Sequence, residues 1–187
     1  TAGPYTRAHM ARARTAKTSS KPTAAPGFDL LVLTVANRVQ QRYAERMLEV
    51  RRRLGALPAG LSTVVLADPA GKRIGSGGST ILCMAALAKR DLLRGKRIMV
   101  LHSGGDSRRL PAWSAAGKIW VPLERLGRGI GPMGSPALFD LAFAELSRLS
   151  LPASGGVLVA SGDAALRLKG ERVQFGDSHA TVLAFPG

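Results

Sequence analysis

From Phe28 onward, short runs of apolar residues alternate with longer amphipathic stretches. The runs that have the length of strands are Leu30–Val35, Ser62–Ala67, Ile98–Leu101 and Gly156–Ala160, with a further candidate at Thr181–Phe185. The first run has no polar alternation, which is typical of a strand that is buried on both sides. The pattern therefore predicts an α/β fold whose sheet is mainly parallel.

Between these runs, apolar residues recur at spacings of three and four, which predicts three helices. Asn37 is a candidate N-cap for the first helix, Ser79 or Thr80 for the second, and Ser135 with Pro136 opens the third. The predicted buried faces are Val39, Tyr43, Met47, Val50 and Leu54 in the first helix, Ile81, Met84, Ala85, Ala88 and Leu92 in the second, and Leu138, Phe139, Ala142, Phe143, Leu146 and Leu149 in the third. Helices are expected on both faces of the sheet.

The chain of 187 residues is basic, with 27 Lys and Arg against 12 Asp and Glu and a formal charge of +15. Such a charge favours polyanionic partners: nucleic acid, anionic lipid or phosphorylated small molecules. Residues 1–27 contain five basic residues and no acid, and they predict a disordered basic tail before one domain at 28–187. No apolar run is long enough to span a membrane.

Cysteine and histidine usage gives no sign of a structural metal or of an internal disulfide. Cys83 is the single cysteine, and no Cys/His cluster has the spacing of a zinc site. We therefore expect a reducing, cytoplasmic location.

Candidate chemistry lies where strands end, because ligands of open α/β sheets bind beyond the carboxyl ends of the strands. Glycine-rich segments follow the second and third predicted strands, at 75–80 and 104–110, and glycines let backbone N–H groups approach a phosphate. Arg108, Arg109 and Lys118 add cations beside the second segment. Asp163 closes the next strand, where a carboxylate can hold a metal ion that bridges phosphates.

Other residues at the same edge have an ordinary structural interpretation beside the functional one. His102 is a candidate base, although a histidine at a strand end among apolar residues is more often structural. Asp68 and Asp106 are typical turn or cap residues. The arginines on the first helix have no aromatic residues among them for base stacking, so a solvated face is expected there rather than a nucleic-acid stripe.

Three segments carry a resemblance to known proteins. Gly104 and Gly105, Arg109 with Leu110, and Lys118 are similar to the glycine-rich signature of sugar-1-phosphate nucleotidyltransferases. More narrowly, DPAGKRIGSGGST at 68–80, HSGGDSRRLPAWSAAGK at 102–118 and SGDAAL at 161–166 resemble the GDP-fucose pyrophosphorylase family, which includes bifunctional L-fucokinases. The resemblance covers residues 28–187 and leaves out the basic tail.

The resemblance implies a Rossmann-like nucleotidyltransferase fold and the transfer of GMP from GTP to fucose 1-phosphate, with release of pyrophosphate. It implies Mg²⁺ as the cofactor, GTP and a sugar 1-phosphate as partners, and a C-terminal sugar-kinase domain in bifunctional members. The apolar runs and the arginine pattern described above favour neither a membrane nor a nucleic-acid partner. The site residues that it implies are Arg109 and Lys118 for catalysis, Gly77, Gly78, Ser79, Gly104, Gly105, Ser107 and Arg108 for the nucleotide, and Asp163 for the metal.

This sequence also departs from the family pattern. Ser107 and Arg108 stand where the broader superfamily has a glycine and a small hydroxyl residue. A second metal aspartate, sugar-binding segments and a kinase domain would follow Gly187, so we expect a domain truncated at its C-terminus, and whether this fragment is active stays open. Three alternatives also stay open: a transferase for another base or sugar, a non-catalytic pyrophosphorylase-like domain of a fucokinase, and a basic nucleic-acid-binding module.

Overall fold

A computed structural model describes residues 27–70, 72, 74–103, 105, 111–123 and 136–164. Its elements, in chain order, are β1 (Leu30–Val35), α1 (Arg38–Arg53), β2 (Ser62–Ala67), α2 (Gly75–Ala88), β3 (Arg97–His102), α3 (Leu138–Leu146) and β4 (Gly156–Ser161). Short 3-10 turns at Pro111–Trp113 and Lys118–Trp120 connect β3 to α3. In this part of the chain, no helix has the length and apolar character needed to span a bilayer. The basic tail, apart from Gly27, and the strand predicted at 181–185 lie outside the described residues.

The four strands form one parallel sheet in the order β2-β1-β3-β4, which confirms the predicted architecture. Leu30 at the start of β1 lies opposite Ser62 of β2 on one side and Ile98 of β3 on the other. The connection from β2 to β3 crosses over β1. As a result, the chain leaves β1 toward β2 on one side of the sheet and leaves β3 toward β4 on the other side. Such a reversal opens a crevice at the carboxyl ends of these two strands, where α/β proteins bind ligands.

Alternate residues of β1 enter two separate apolar cores. Leu31 and Leu33 belong to the larger core, which α1 and α3 cover, and Leu30 and Val32 belong to a smaller core under α2. All six residues of β1 are buried. The helices therefore lie on both faces of the sheet, as the sequence pattern predicts.

The buried face of α1 differs from the predicted one. Asn37 is confirmed as the N-cap, because its side chain accepts hydrogen bonds from the N–H groups of Val39 and Gln40. However, Val39 is 62% exposed and Val50 is 38% exposed. The residues of α1 that are buried are Gln40, Ala44, Leu48 and Arg51. The prediction was wrong at Val39 and Val50 because two of the residues that do face inward, Gln40 and Arg51, are polar. Their side-chain partners come from distant parts of the chain.

Helix α2 begins earlier than the sequence predicts. Its first residue is Gly75, its N-cap is Ile74, and neither Ser79 nor Thr80 caps it. Its buried residues are Ser79, Cys83 and Leu87, whereas Ile81, predicted to be buried, is 73% exposed. Glycine has a low helix propensity, so the sequence favoured a loop, but tertiary hydrogen bonds hold the first turns of this helix in place.

Helix α3 confirms most of its predicted apolar face. Phe139, Ala142, Phe143 and Leu146 are buried, and Leu149 is buried just beyond the end of the helix. Of the two predicted opening residues, Ser135 lies outside the described part of the chain, and Pro136 precedes the helix, whose N-cap is Ala137 and whose first residue is Leu138.

A buried ion pair joins α1 to α3. Arg51 donates from Nε to one carboxylate oxygen of Asp140 at 2.6 Å and from Nη2 to the other at 2.7 Å. The guanidinium also lies 4.8 Å from the ring centre of Trp120 and 5.3 Å from that of Phe139. The bidentate geometry satisfies both oxygens of the carboxylate, which also accepts the backbone N–H of Ala137.

Candidate functional site

Two adjoining cavities open at the carboxyl ends of the strands, at the crevice between β1 and β3. The α2-side cavity has a volume of about 340 Å³, and its lining includes Thr34, Asp68 and Ser79. The β4-side cavity has a volume of about 120 Å³, and its lining includes Lys118, Ser161 and Asp163. Both cavities are also lined by Ser76, His102 and Gly105. The two cavities therefore form one continuous candidate site.

The β4-side cavity places a cation beside a carboxylate. Nζ of Lys118 lies 3.9 Å from Oδ2 of Asp163, and the Ser161 hydroxyl donates to Oδ1 at 2.5 Å. The side chains of Lys118 and Asp163 keep 35% and 55% of their exposure, so both can reach a ligand. This pair can contact a phosphate group and a divalent cation at the same time.

Gly162 allows β4 to approach β3 just before Asp163. Its N–H donates to the carbonyl of His102 at 2.8 Å. A Cβ at this position would lie 2.7 Å from Cδ1 of Ile119 and 3.1 Å from that same carbonyl. Because Ile119 belongs to the turn that carries Lys118, a larger residue here would push the lysine and the aspartate apart.

Asp68 is fixed against α2 in the α2-side cavity. It follows β2 directly, and its Oδ1 accepts a hydrogen bond of 2.7 Å from the Ser79 hydroxyl. Ser79 therefore lines the α2-side cavity. Gly77 and Gly78 lie in the first turns of α2 but line neither cavity.

The ring of His102 connects three elements at the base of both cavities. Nδ1 lies 2.7 Å from the Thr34 hydroxyl of β1, and Nε2 lies 2.8 Å from the Thr80 hydroxyl of α2. Thr80 gives its only hydroxyl proton to the carbonyl of Ser76, at 2.9 Å. Nε2 must therefore donate to Thr80, and Nδ1 accepts from Thr34.

Burial favours the neutral form of His102. Burial lowers the pKa of His102 below its usual value, and the negative charge of Asp68 opposes this shift only in part. Both ring nitrogens are occupied in the neutral form. His102 therefore acts as a cross-link between β1, β3 and α2 rather than as a free base.

Gln40 is a site residue that sequence reasoning missed. It is 1% exposed, and its Nε2 donates to the carbonyls of Gly105, at 3.4 Å, and Ser114, at 2.8 Å. Its Oε1 accepts the N–H of Ala36 at 3.0 Å. These two carbonyls lie on either side of residues 106–110, so Gln40 anchors both ends of the predicted phosphate loop. The signal in the sequence was its register four residues before Ala44 on the buried face.

Of the predicted phosphate and metal ligands, the structure brings Gly105, Lys118 and Asp163 together around the β4-side cavity. Gly104, Ser107, Arg108 and Arg109 lie outside the described residues. Within the described part of the chain, no group of three or more His, Cys, Asp or Glu side chains could hold a metal ion. A metal here would have Asp163 as its carboxylate ligand and would take its other ligands from the substrate and water.

Three arginines at the C-terminal end of α1 make contacts within the protein, whereas Arg38, Arg42 and Arg46 of the same helix are exposed. Arg51 is buried against Asp140, and Arg53 pairs with Glu49 at 2.8 Å. Arg52 donates to the carbonyl of Leu61 and to the hydroxyl of Thr63. Arg51 therefore joins α1 to α3 and Arg52 joins it to β2, so neither side chain is free to form part of an open basic stripe.

Comparison with known families connects this geometry to a group of enzymes. The family model of the fucose pyrophosphorylase domain matches residues 90–187, just over half of the chain. The chain belongs to the fucose pyrophosphorylase family. The matched segment contains β3, Lys118 and Asp163, so the β4-side cavity of this fucose pyrophosphorylase domain lies largely within it.

Individual relatives agree with this assignment. The chain is 30% identical to the bifunctional fucokinase/GDP-fucose pyrophosphorylase of Arabidopsis thaliana over 88% of its own length and 18% of that protein. It is 34% identical to the human fucose-1-phosphate guanylyltransferase over 73% of its length and 22% of that protein. The L-fucokinase/L-fucose-1-P guanylyltransferase of Bacteroides fragilis is 36% identical over 54% of this chain and 12% of its own. The chain thus spans less than a quarter of each of these relatives. No solved structure matches it.

Proposed function

We propose that this chain is the nucleotide-binding part of a fucose-1-phosphate guanylyltransferase, which transfers GMP from GTP to fucose 1-phosphate and releases pyrophosphate. The observation that carries the proposal is the pairing of Lys118 with Asp163 in a cavity next to Gly105, at the carboxyl ends of the strands. The names of the relatives give the sugar and the nucleotide.

The chemistry needs positioning and charge stabilisation more than a covalent nucleophile. An oxygen of the sugar phosphate attacks the α-phosphorus of GTP in line, and the bond to the β-phosphate breaks as pyrophosphate leaves. Negative charge builds up on the leaving group. The side-chain ammonium group of Lys118 lies at this cavity and would stabilise that negative charge.

Asp163 fits the role of a magnesium ligand. Mg²⁺ is commonly held by one or two carboxylates and keeps several water and phosphate ligands, so a single half-exposed aspartate is sufficient. The Ser161 hydroxyl orients this carboxylate. The metal, when bound, would neutralise phosphate charge beside Lys118.

The same proposal gives roles to residues between the two ends of the anchored loop. Arg109 would act with Lys118 on the leaving pyrophosphate, and Arg108 would hold the β and γ phosphates together with the backbone N–H groups of Gly104 and Gly105. The anchoring of Gly105 by Gln40 supports this arrangement, because it fixes where the loop starts.

Pyrophosphate release from GTP and fucose 1-phosphate, with Mg²⁺ present, tests the proposal. Lys118→Ala should lower turnover by about 10²-fold, the usual cost of removing one charge-stabilising group. Lys89→Ala is the matched control, because Lys89 is exposed at the far end of α2. Equal rates for the two variants would remove Lys118 from the mechanism, and no release by the wild-type chain would contradict the activity of this fragment.

A further inference from the structure

The two cavities differ in electrostatic character. The β4-side cavity contains Lys118 beside Asp163, the proposed magnesium ligand, whereas none of the described residues that line the α2-side cavity is a cation. That lining contains instead the carboxylate of Asp68, serine and threonine hydroxyls, and the neutral His102. A triphosphate would be repelled by Asp68 and attracted by Lys118. If GTP binds as proposed above, its phosphates belong in the β4-side cavity and its base belongs in the α2-side cavity.

Asp68 presents an oriented acceptor to this cavity. Its Oδ1 is held by the hydroxyl of Ser79, and the described residues provide no hydrogen-bond partner for Oδ2. An ionised carboxylate only accepts hydrogen bonds, and each oxygen can accept more than one. The cavity volume of about 340 Å³ is in the range of small-molecule sites. The α2-side cavity is therefore suited to an uncharged group that offers donors.

Among the common bases, guanine offers two parallel donors on one edge, N1–H and the N2 amino group. Adenine places the N1 acceptor beside its amino donor, cytosine places N3 beside its own, and uracil has a single N–H between two carbonyls. A carboxylate can accept both hydrogen bonds from guanine but leaves an acceptor facing it in each of the others. We propose that Asp68, oriented by Ser79, is the guanine-reading residue of the site. This inference rests on the proposed function.

Base exchange tests this assignment directly. Xanthine has a carbonyl at C2 where guanine has its amino group. It therefore matches the side-chain amide that Asp68→Asn introduces, whose Nδ2 donates to that carbonyl while its Oδ1 accepts from N1–H. Titration calorimetry with Mg²⁺ should show that the wild-type chain prefers GTP to XTP by about 10-fold or more, the usual discrimination of a bidentate contact. Asp68→Asn should reverse the preference.

Asp91→Asn is the matched control. It makes the same change of charge beyond the C-terminal end of α2, where Asp91 is exposed, and the wild-type preference should remain. If Asp68→Asn weakens GTP, XTP and ATP equally, or binds GTP as tightly as the wild type does, Asp68 does not read the base.

Two further measurements keep the test decisive if Asp68→Asn does not fold. ITP lacks the N2 amino group, so the wild-type chain should bind it about 10-fold more weakly than GTP. Ser79→Ala should narrow that difference, because it releases the carboxylate. An unchanged difference between GTP and ITP in Ser79→Ala overturns the inference.

Inorganic triphosphate separates this inference from the proposed function. Binding of triphosphate without any preference among GTP, ITP and ATP would retain the phosphate site and exclude a guanine reader. If the chain binds neither inorganic triphosphate nor GTP, the proposed function is contradicted, and this inference with it.

Discussion

Gln40 shows how a single buried side chain can hold a loop that it does not belong to. Its amide group contacts the backbone at Ala36, Gly105 and Ser114, and it brings α1 into contact with both sides of the loop after β3. A glutamine is suited to this task because it offers two donors and an acceptor without a charge.

We predict that Gln40→Met weakens nucleotide binding more than it slows turnover. Methionine keeps the length of the side chain but leaves two carbonyls and one N–H without a partner, at a cost of about 1–3 kcal/mol for a buried polar group. KM for GTP should rise by about 10-fold or more on that scale, with a smaller change in kcat. Steady-state kinetics of pyrophosphate release measures both parameters.

Gln41→Met is the matched control for this prediction. Gln41 also donates to a backbone carbonyl, that of Val65 in β2, but it lies away from the loop. If both variants raise KM equally, the effect belongs to the stability of α1 and not to the loop.

Asp163 was predictable as a site residue because it follows the end of a parallel strand, and the carboxyl ends of such strands lie at one edge of the sheet. Lys118 was assigned from its place beside the glycine-rich segment, and the 3-10 turn Lys118–Trp120 brings its Nζ to 3.9 Å from Asp163. Gln40 was not assigned, because its partners are 65 and 74 residues away in the chain. No local pattern reports such a contact.

At the scale of elements, the pair of Arg51 and Asp140 locks α1 onto α3. Their side chains are 2% and 4% exposed, and the Arg51 guanidinium also packs over the rings of Trp120 and Phe139. Removing one partner of a buried pair leaves an uncompensated charge, which costs about 3–5 kcal/mol.

We therefore predict that Arg51→Met lowers the free energy of unfolding by about 3–5 kcal/mol. Arg53→Met should cost at most about 1 kcal/mol, because its pair with Glu49 is exposed to solvent. Urea denaturation followed by circular dichroism measures both values.

A double-mutant cycle identifies the source of this effect. Arg51→Met combined with Asp140→Asn should cost clearly less than the sum of the two single changes, because the second change removes the unpaired charge. Additive costs would mean that lost packing, and not the ion pair, explains the instability.

Strands were predicted more accurately than helix faces. Continuous apolar runs bounded by turn residues defined all four strands to within a residue at each end. Helix phase depends on which side chains face inward, and here Gln40, Arg51 and Ser79 do so although they are polar. A tertiary contact compensates each of these polar groups. Hydrophobic periodicity alone does not report such contacts, so it placed the exposed Val39 on the buried face of α1 and the exposed Ile81 on that of α2.

At the scale of the whole molecule, acid stability depends on carboxylates within a strongly basic chain. Asp29, just before β1, accepts hydrogen bonds from the side chain and the backbone N–H of Arg97 at the start of β3. The Arg97 side chain, followed by its backbone N–H, lowers the pKa of Asp29 from 3.8 to about 2. The ionised carboxylate is thus favoured in the folded state.

The sign of the effect follows from the direction of this pKa shift. Above pH 3.8 the stabilisation by Asp29 is fully present, and it is lost as the pH falls from 3.8 to about 2. We predict that Asp29→Asn is less stable than the wild type near neutral pH and that the difference shrinks across this interval. Urea midpoints measured as a function of pH test this.

Asp91→Asn supplies the comparison for the acid experiment, since its side chain is exposed beyond α2. Its difference from the wild type should stay nearly constant over the same range of pH. A constant difference for Asp29→Asn as well would mean that the contact with Arg97 does not depend on the charge of the carboxylate.

The strand order has a consequence for how this domain could be divided. The segment that matches the family model starts at residue 90, whereas β1, whose residues are all buried, precedes it in the chain and lies beside β3 in the sheet. A fragment that starts at residue 90 would expose an open edge of β3 and the apolar faces that β1 covers. Such edges and faces promote aggregation. We therefore expect the segment that matches the family model to aggregate when it is expressed alone.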